Sequence, residues 1–554
     1  MLRLRPVKPV ELLCSLGTAW VVVQVALVHR WFARPFAVWI GLDDAYVAAA
    51  GRRLIDGHWV PYVDAVSHRG PLLYWVSGLL QLFGGSDPWL PIRTGALLFA
   101  EAAVVLIFAT GALAKRPLAG FIGAAAFAFA TTFAMPPHDG IGLNGELVAV
   151  PFSLAAMLAT VAGVRSSTPP ERRVWLAALA GLLATVGGLG KQPAMAHLIP
   201  IALWWAGDAL RRRQGGASDW RPVVALGVGA ITPWLAVLSF YLRTGHVRAL
   251  LYYLFTYNRK VYFAPVTASY AIESTYAFCR EHAEFVLILA VASAWAAARL
   301  WSEVRSPRSV RSWLVAWAES GLVSTVALHA LLAFWSGAAT FRYFEHYFVT
   351  ALPWMGLWFG LTVDDAFTSL RARKGWATGL VVTVLCSSMA VLGKVHVYWL
   401  EGQRRTGVFG NPMDEPVTNY VKTTTRPQDT IFAWGFAPEY YVSTGRKAAS
   451  RFVYTTFVAG LVPWFDSLTL EQENALAVPG ARELLLRELD ASKPELVLDV
   501  PSSMRGRSMR RYDQLAAWLE RGYCYETTIV GRNSHVASVY RRKRGECANP
   551  MPLR

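Results

Sequence analysis

Long apolar runs alternate with short polar segments along most of the chain, a pattern that a single water-soluble core does not require. Runs long enough to cross a hydrocarbon layer of about 30 Å lie near residues 12–30, 93–113, 117–134, 146–164, 174–189, 193–209, 222–242, 285–300, 313–335, 346–363 and 376–397, which makes about eleven spans. The run Pro71 to Phe83 is apolar but too brief to cross, and it predicts a helix lying at the membrane surface. From about residue 400 the pattern changes. Strand-like runs at Thr430–Trp434, Glu495–Val500 and His535–Tyr540, with helical runs near 481–490 and 512–521, predict a small α/β domain. The expected fold class is therefore mostly α, a polytopic transmembrane helical bundle over residues 1–400 followed by a C-terminal α/β domain over 401–554, with no internal repeat.

Composition agrees: of 554 residues, 54% are hydrophobic and 16% charged. The net charge of +17 does not point to nucleic acid, because the Lys and Arg residues sit in short segments between apolar runs rather than in one stripe. They set orientation instead. Arg3, Arg5 and Lys8, then Lys115 and Arg116, Arg165, Arg172 and Arg173, Arg211 to Arg213, Arg299 to Arg311, and Arg371 to Lys374 all fall on one side when the spans alternate. That side is cytoplasmic by the positive-inside rule. The loops 135–145 and 336–340 contain no Lys or Arg, as the opposite side requires. The first run has a basic start but no small-x-small cleavage pattern, so it is expected to stay as the first span. The expectation is a multi-pass plasma (inner) membrane protein with a cytoplasmic N-terminus and an extracytoplasmic C-terminal domain. Of the five cysteines none forms a CxxC or a Cys/His pair at zinc spacing. Cys524 and Cys547 are expected to be two free thiols, with pairing as the alternative in an oxidising compartment.

Two outer loops are long, about 31–92 and 243–284, and long loops commonly carry function. The first reads Gly41-Leu42-Asp43-Asp44-Ala45-Tyr46, then Asp56-Gly57-His58-Trp59-Val60-Pro61-Tyr62-Val63-Asp64, then His68-Arg69-Gly70-Pro71-Leu72-Leu73-Tyr74-Trp75. Tyr46, Ala50 and Leu54 fall at helical spacing, so the two aspartates open an amphipathic surface helix. On spacing alone the commoner use of such an Asp is to cap the helix.

An acidic pair followed by Tyr, a Gly-aromatic-Pro turn and a segment leading into Leu-Leu-Tyr-Trp resembles the first external loop of GT-C fold membrane glycosyltransferases, and is most similar to the protein O-mannosyltransferases and lipid A aminoarabinose transferases. Further matches occur in order: Asn144-Gly145-Glu146, Gly190-Lys191-Gln192-Pro193, Arg342-Tyr343-Phe344-Glu345-His346-Tyr347-Phe348 and Trp434-Gly435-Phe436-Ala437-Pro438-Glu439. Two positions depart from the family pattern: Gly70 replaces the first proline of a usual pair, and Asp44 stands where Glu is common. The resemblance implies a GT-C bundle that moves a sugar from a polyprenyl-phosphate donor to a lipid, glycan or protein acceptor, with Asp43 as the catalytic carboxylate and Asp44 beside it. For substrate binding it points to His68, Arg69, Glu146, Lys191, Arg342, His346 and Glu439.

The chemistry fits those residue types. A sugar leaving as a phosphate ester needs no proton on its leaving group, because the phosphate is already a good anion. Cations such as Lys191, Arg342, His68 and Arg69 matter more, although Arg69 and Arg342 serve equally well by snorkelling towards headgroups. One carboxylate near the acceptor hydroxyl supplies the base, half of the arrangement of inverting glycosidases. Glu146 is equally well a dipole partner of its own helix, and His346 equally well part of an aromatic belt. Asp364-Asp365 repeats the dipeptide but falls on the cytoplasmic side. No metal is expected, since a monophosphate leaves little charge to clamp, and no cofactor beyond the lipid-linked donor. The competing class is a transporter or flippase of a lipid-linked glycan, which would show repeated halves and a midplane site.

Overall fold

Proline and glycine mark most helix ends, and the elements form between them. The computed structural model describes residues 9–33, 42–85, 87–135, 137–140, 142–212, 218–262, 266–283, 286, 290, 294, 310–371, 415–461, 468–531 and 535–550. Helix α1 is Pro9–Ala33, α2 Leu42–Asp56, α3 Pro71–Gln81, α4 Leu90–Leu113 and α5 Pro117–Phe129, continued by a π turn over Ala130–Ala134. One turn, α6 (Pro137–Gly140), leads to α7 (Gly145–Val164), α8 (Pro170–Gly190), α9 (Leu198–Arg211) and α10 (Arg221–Arg243). The second long loop holds α11 (Val247–Leu251), a π segment (Tyr252–Tyr262) and α12 (Ala268–Glu281). Then come α13 (Val310–Ser320), α14 (Leu322–Ala338) and α15 (Leu352–Arg371).

Among the described residues, five helices are long and apolar enough to cross a membrane: α1, α4, α7, α8 and α10. The pair α13 and α14 makes a sixth if it is one broken span, since the two are bent by 100°. The span expected over 313–335 falls across this pair. The break falls at Gly321, whose φ of +51° takes the chain out of the helical region. Helices α5, α9 and α15 coincide with other apolar runs but fall outside that length and hydropathy class. The expected spans 376–397 and most of 285–300 lie outside the described residues, as does the 400/401 division between the two parts.

The C-terminal part is a five-stranded sheet, order β2-β1-β3-β5-β4, from β1 (Thr430–Trp434), β2 (Lys447–Ala448), β3 (Leu496–Asp499), β4 (Tyr523–Val530) and β5 (Val536–Arg542). Strands β2, β1 and β3 run parallel and are followed by two antiparallel pairings, with Ala433 opposite Leu498 and Leu498 opposite Val539. The central strands are buried and mainly apolar over Ile431–Trp434 of β1 and Leu496–Leu498 of β3, as a sheet covered on both faces requires. Helices α16 (Pro416–Thr424), α17 (Glu439–Thr444), α18 (Thr456–Ala459), α19 (Leu470–Leu476), α20 (Ala481–Ser492) and α21 (Asp513–Gly522) complete it. Cys524 on β4 is bonded to Cys547 as a disulfide, with Cα atoms 5.3 Å apart, which corrects the expectation of two free thiols.

Two polar ends are distinct. At one, Arg116 pairs with both Asp364 and Asp365, and Arg173 and Arg212 with Asp208. At the other, α2, the loop that follows it and the start of α4 meet the sheet domain. The Val66 amide donates to the Arg451 carbonyl at 3.1 Å, and the Trp89 indole to Ser443 Oγ at 3.0 Å.

Candidate active site

Asp43 and Asp44 lie in the first turn of α2, where the exposed amides of a helix start favour negative charge. The loop after α2 is shaped by its own polar groups. The Asp64 carboxylate accepts the amides of His58 and Val60, each at 2.8 Å, and holds Trp59 and Tyr62 at φ of 61° and 68°, conformations that cost energy and cluster at functional sites. Tyr46 donates to the Val66 carbonyl and Tyr62 to the Arg69 carbonyl, both at 2.7 Å. The loop is thereby folded back over α2, and the Arg69 guanidinium reaches Asp43 Oδ1. Gly70 comes next because no side chain fits: a Cβ there would stand 1.9 Å from the Leu189 carbonyl oxygen. The departure from proline is thus explained by the close pass of this loop against the end of α8.

The remaining candidates arrive from distant segments. Asn144 caps α7 by accepting the Leu147 amide at 2.8 Å, which places Glu146 in the first turn. The Lys191 ammonium, just past α8, lies 2.5 Å from Glu146 Oε1 and 4.8 Å above the Tyr347 ring. His346 sits in a 3-10 turn before α15, with Nε2 3.1 Å from Asp43 Oδ2 and Nδ1 3.1 Å from Asp139 Oδ1. Arg342 is buried between Phe341 and Tyr343, both at positive φ, and its charge reaches Tyr347. His68 offers its carbonyl to Gln192 at 3.0 Å and Asn258 at 2.7 Å, while its ring packs against Tyr257 and Phe457. Glu439 stands apart. It faces His535 at 3.6 Å and influences Glu415 within the sheet domain.

Three contributors carry no sequence signal of their own. Asp139 belongs to a loop distinguished only by its lack of basic residues. Tyr347 sits inside the Arg342–Phe348 motif with no role implied for it, and Tyr454 of the sheet domain brings its ring 5.0 Å from Tyr46 and stacks on Phe436 at 4.7 Å.

The electrostatics separate the paired aspartates. Burial alone would raise Asp43, but the charges of Arg69, His346 and Lys191 outweigh it and hold the carboxyl below the usual carboxylate range. Asp44 is pushed well above that range by burial and by the neighbouring charges of Asp43 and Asp139. His68 is held neutral by burial and then by Arg69 and Lys191. For His346 burial opposes the charged ring, yet the hydrogen bond to Asp139 and the charges of Asp43 and Glu146 raise it above its ordinary value.

A crystal structure of ArnT from Cupriavidus metallidurans bound to undecaprenyl phosphate superposes with a TM-score of 0.52 at 14% identity, covering 96% of this chain and 99% of that one. The fold is GT-C. The oligosaccharyltransferase of Archaeoglobus fulgidus, tethered to an acceptor peptide, is also similar, with a TM-score of 0.47 at 12% identity over 95% of this chain and 74% of its own. Neither a family model nor a curated protein matches the sequence. With the apolar helices, the GT-C frame makes this an integral membrane protein. Within it, the Asp43 cluster occupies the bundle end nearest the sheet domain, opposite Asp364 and Asp365.

Proposed function

We propose that this chain is a membrane glycosyltransferase that moves a sugar from a polyprenyl-phosphate donor to a lipid, glycan or protein acceptor at the outer face, with inversion at the sugar carbon. The observation that carries this is Asp43, set in the first turn of α2 between Arg69 and His346, with the charge of Lys191 acting on it. ArnT, which shares the fold, was crystallised with a lipid phosphate.

The charges support a phosphate ligand. Arg69 pairs with Asp43, Lys191 with Glu146, His346 touches both Asp43 and Asp139, and the charge of Arg342 reaches Tyr347, while Asp44 is shifted towards its neutral form. A phosphate beside these cations would accept charge-assisted hydrogen bonds from them. A carboxylate has about four lone-pair sites. Arg69 and His346 take one each on Asp43, and the others accept the incoming hydroxyl. With its basicity lowered, Asp43 acts chiefly by aligning that hydroxyl and balancing positive charge on the oxocarbenium-like sugar carbon; as the sugar–phosphate C–O bond breaks and the new C–O bond forms, the hydroxyl proton passes to the Asp43 carboxylate. No metal is needed in this scheme.

The test compares lipid extracts and acceptors from membranes with and without the chain by mass spectrometry. A gain of one sugar mass on a defined acceptor is expected, and Asp43→Asn should reduce it by about 10²–10⁴-fold. Unchanged transfer in a correctly inserted Asp43→Asn removes Asp43 from the role. Movement of a lipid-linked glycan with no new bond would favour a flippase instead.

A further inference from the structure

His346 touches two carboxylates through opposite ring nitrogens, Asp43 at Nε2 and Asp139 at Nδ1, both at 3.1 Å. An imidazole that meets an acceptor on each side can satisfy both only with both nitrogens protonated. A neutral ring would leave a carboxylate oxygen facing a lone pair in a site largely closed to water. The ring is also fixed from outside this pair. It lies against Tyr347 at 4.7 Å and Phe344 at 5.9 Å, in a turn whose entry is set by the strained Phe341 and Tyr343. Asp139 itself comes from α6, whose position is held by the Asn144 side chain donating to the Asp139 carbonyl at 3.0 Å.

We propose that Asp139, His346 and Asp43 form a carboxylate–imidazolium–carboxylate chain in which Asp139 is a positioning residue. It touches no substrate and acts by keeping His346 doubly protonated and turned towards Asp43. The chain fixes which oxygen face Asp43 presents to the acceptor hydroxyl. Arg69 alone would leave the carboxylate free to rotate about the Cβ–Cγ bond, whereas a second donor on the other oxygen locks the plane.

Charged groups face His346 from each surrounding element. Asp43 comes from α2 with Asp44 behind it, Asp139 from α6, Glu146 from α7 and Lys191 from beyond α8. Tyr347 of its own segment lies against the ring, with Arg342 and Glu345 nearby in sequence, Arg69 reaches Asp43 from the loop after α2, and His329 of α14 turns instead to His197 and Trp354. Two carboxylates in contact and a third nearby outweigh the cations at greater reach. The imidazolium therefore persists above the ordinary His range and is lost as pH rises through its raised value. Removing Asp139 lowers that value, so the loss should move to lower pH.

The role of Asp139 in turnover rests on the glycosyltransferase reading, but the protonation of His346 does not, and the experiment keeps the two apart. The full-length chain is labelled with ¹³C-histidine and titrated in detergent by NMR, His346 being assigned from the spectrum of His346→Gln. Its ring should stay protonated past pH 6.5, and Asp139→Asn should lower its midpoint by about 1–2 pH units, with Asp139→Glu restoring it. In the transfer assay Asp139→Asn should lower kcat with little change in KM, and move the basic limb of the pH profile down by the same amount. A wild-type His346 already neutral at pH 6.5, or a midpoint indifferent to Asp139→Asn, overturns the chain. If the titration behaves as described and the wild type transfers no sugar, the chain stands and the glycosyltransferase reading falls.

Discussion

Lys191 shows why single residues in this site are hard to interpret alone. Its ammonium pairs with the buried Glu146 carboxylate, so it supports the fold as well as offering a cation to a ligand. Removing one member of a buried ion pair costs about 3–5 kcal/mol, because the other charge remains uncompensated. Lys191→Met should therefore lower thermal stability substantially, while the double variant Lys191→Met/Glu146→Gln should recover most of it. If Lys191 also holds the donor phosphate, the recovered double variant will still bind the donor poorly, and a donor titration at fixed acceptor measures that as a raised KM. A double variant with wild-type KM would leave Lys191 a structural role only. At this scale the sequence is informative wherever a residue opens or closes an element: Asp43, Glu146 and Lys191 are each legible from a cap, a turn or a hairpin. It is silent on pairings. Asp139 and His346 are 207 residues apart, and no local pattern in either segment announces the other.

The elements are legible where apolar length or strand alternation is strong and obscure where geometry depends on one residue. Helices α2 and α3 and strands β1, β3 and β5 fall where the pattern puts them. The bend at Gly321 is hard to read because only Glu319-Ser320-Gly321 interrupts the apolar run there, and a positive φ is what distinguishes two helices from one. Strand β4 escapes the pattern because Tyr523 to Val530 mixes aromatic, acidic and hydroxyl residues without clear alternation. With β4 unread, nothing places Cys524 near Cys547, and the disulfide goes out of sight with the strand. That bond closes a loop between residues 23 apart, for which chain-entropy estimates give about 3 kcal/mol of stabilisation. Replacing both cysteines by serine should lower the unfolding temperature of the sheet domain, and adding reductant to the wild type should reproduce most of the change. Equal stability with and without the bond would show that the β4–β5 pairing alone secures the tail.

For the whole molecule the decisive feature is the segregation of charge between two ends. Arg116, Arg173 and Arg212 gather at one end on Asp364, Asp365 and Asp208, while Asp43, Arg69, Lys191 and His346 gather at the other beneath the sheet domain. A membrane potential and the insertion machinery favour Lys and Arg loops on the cytoplasmic side, so the first end should face inwards and the proposed active site outwards. The disulfide agrees with that orientation, since such bonds persist outside the reducing cytoplasm. Single-cysteine labelling tests it directly, in a background where Cys14, Cys279 and Cys386 are replaced and the disulfide is kept. His58, exposed on the loop beyond α2, and Ser166, exposed in the turn between α7 and α8, are suitable positions. On intact cells a membrane-impermeant maleimide should label His58→Cys and leave Ser166→Cys unmodified until the membrane is opened. The reverse pattern would place Asp43 on the cytoplasmic side. A soluble nucleotide sugar would then be the more accessible donor, and the case for a lipid phosphate as the leaving group would lose its physical basis.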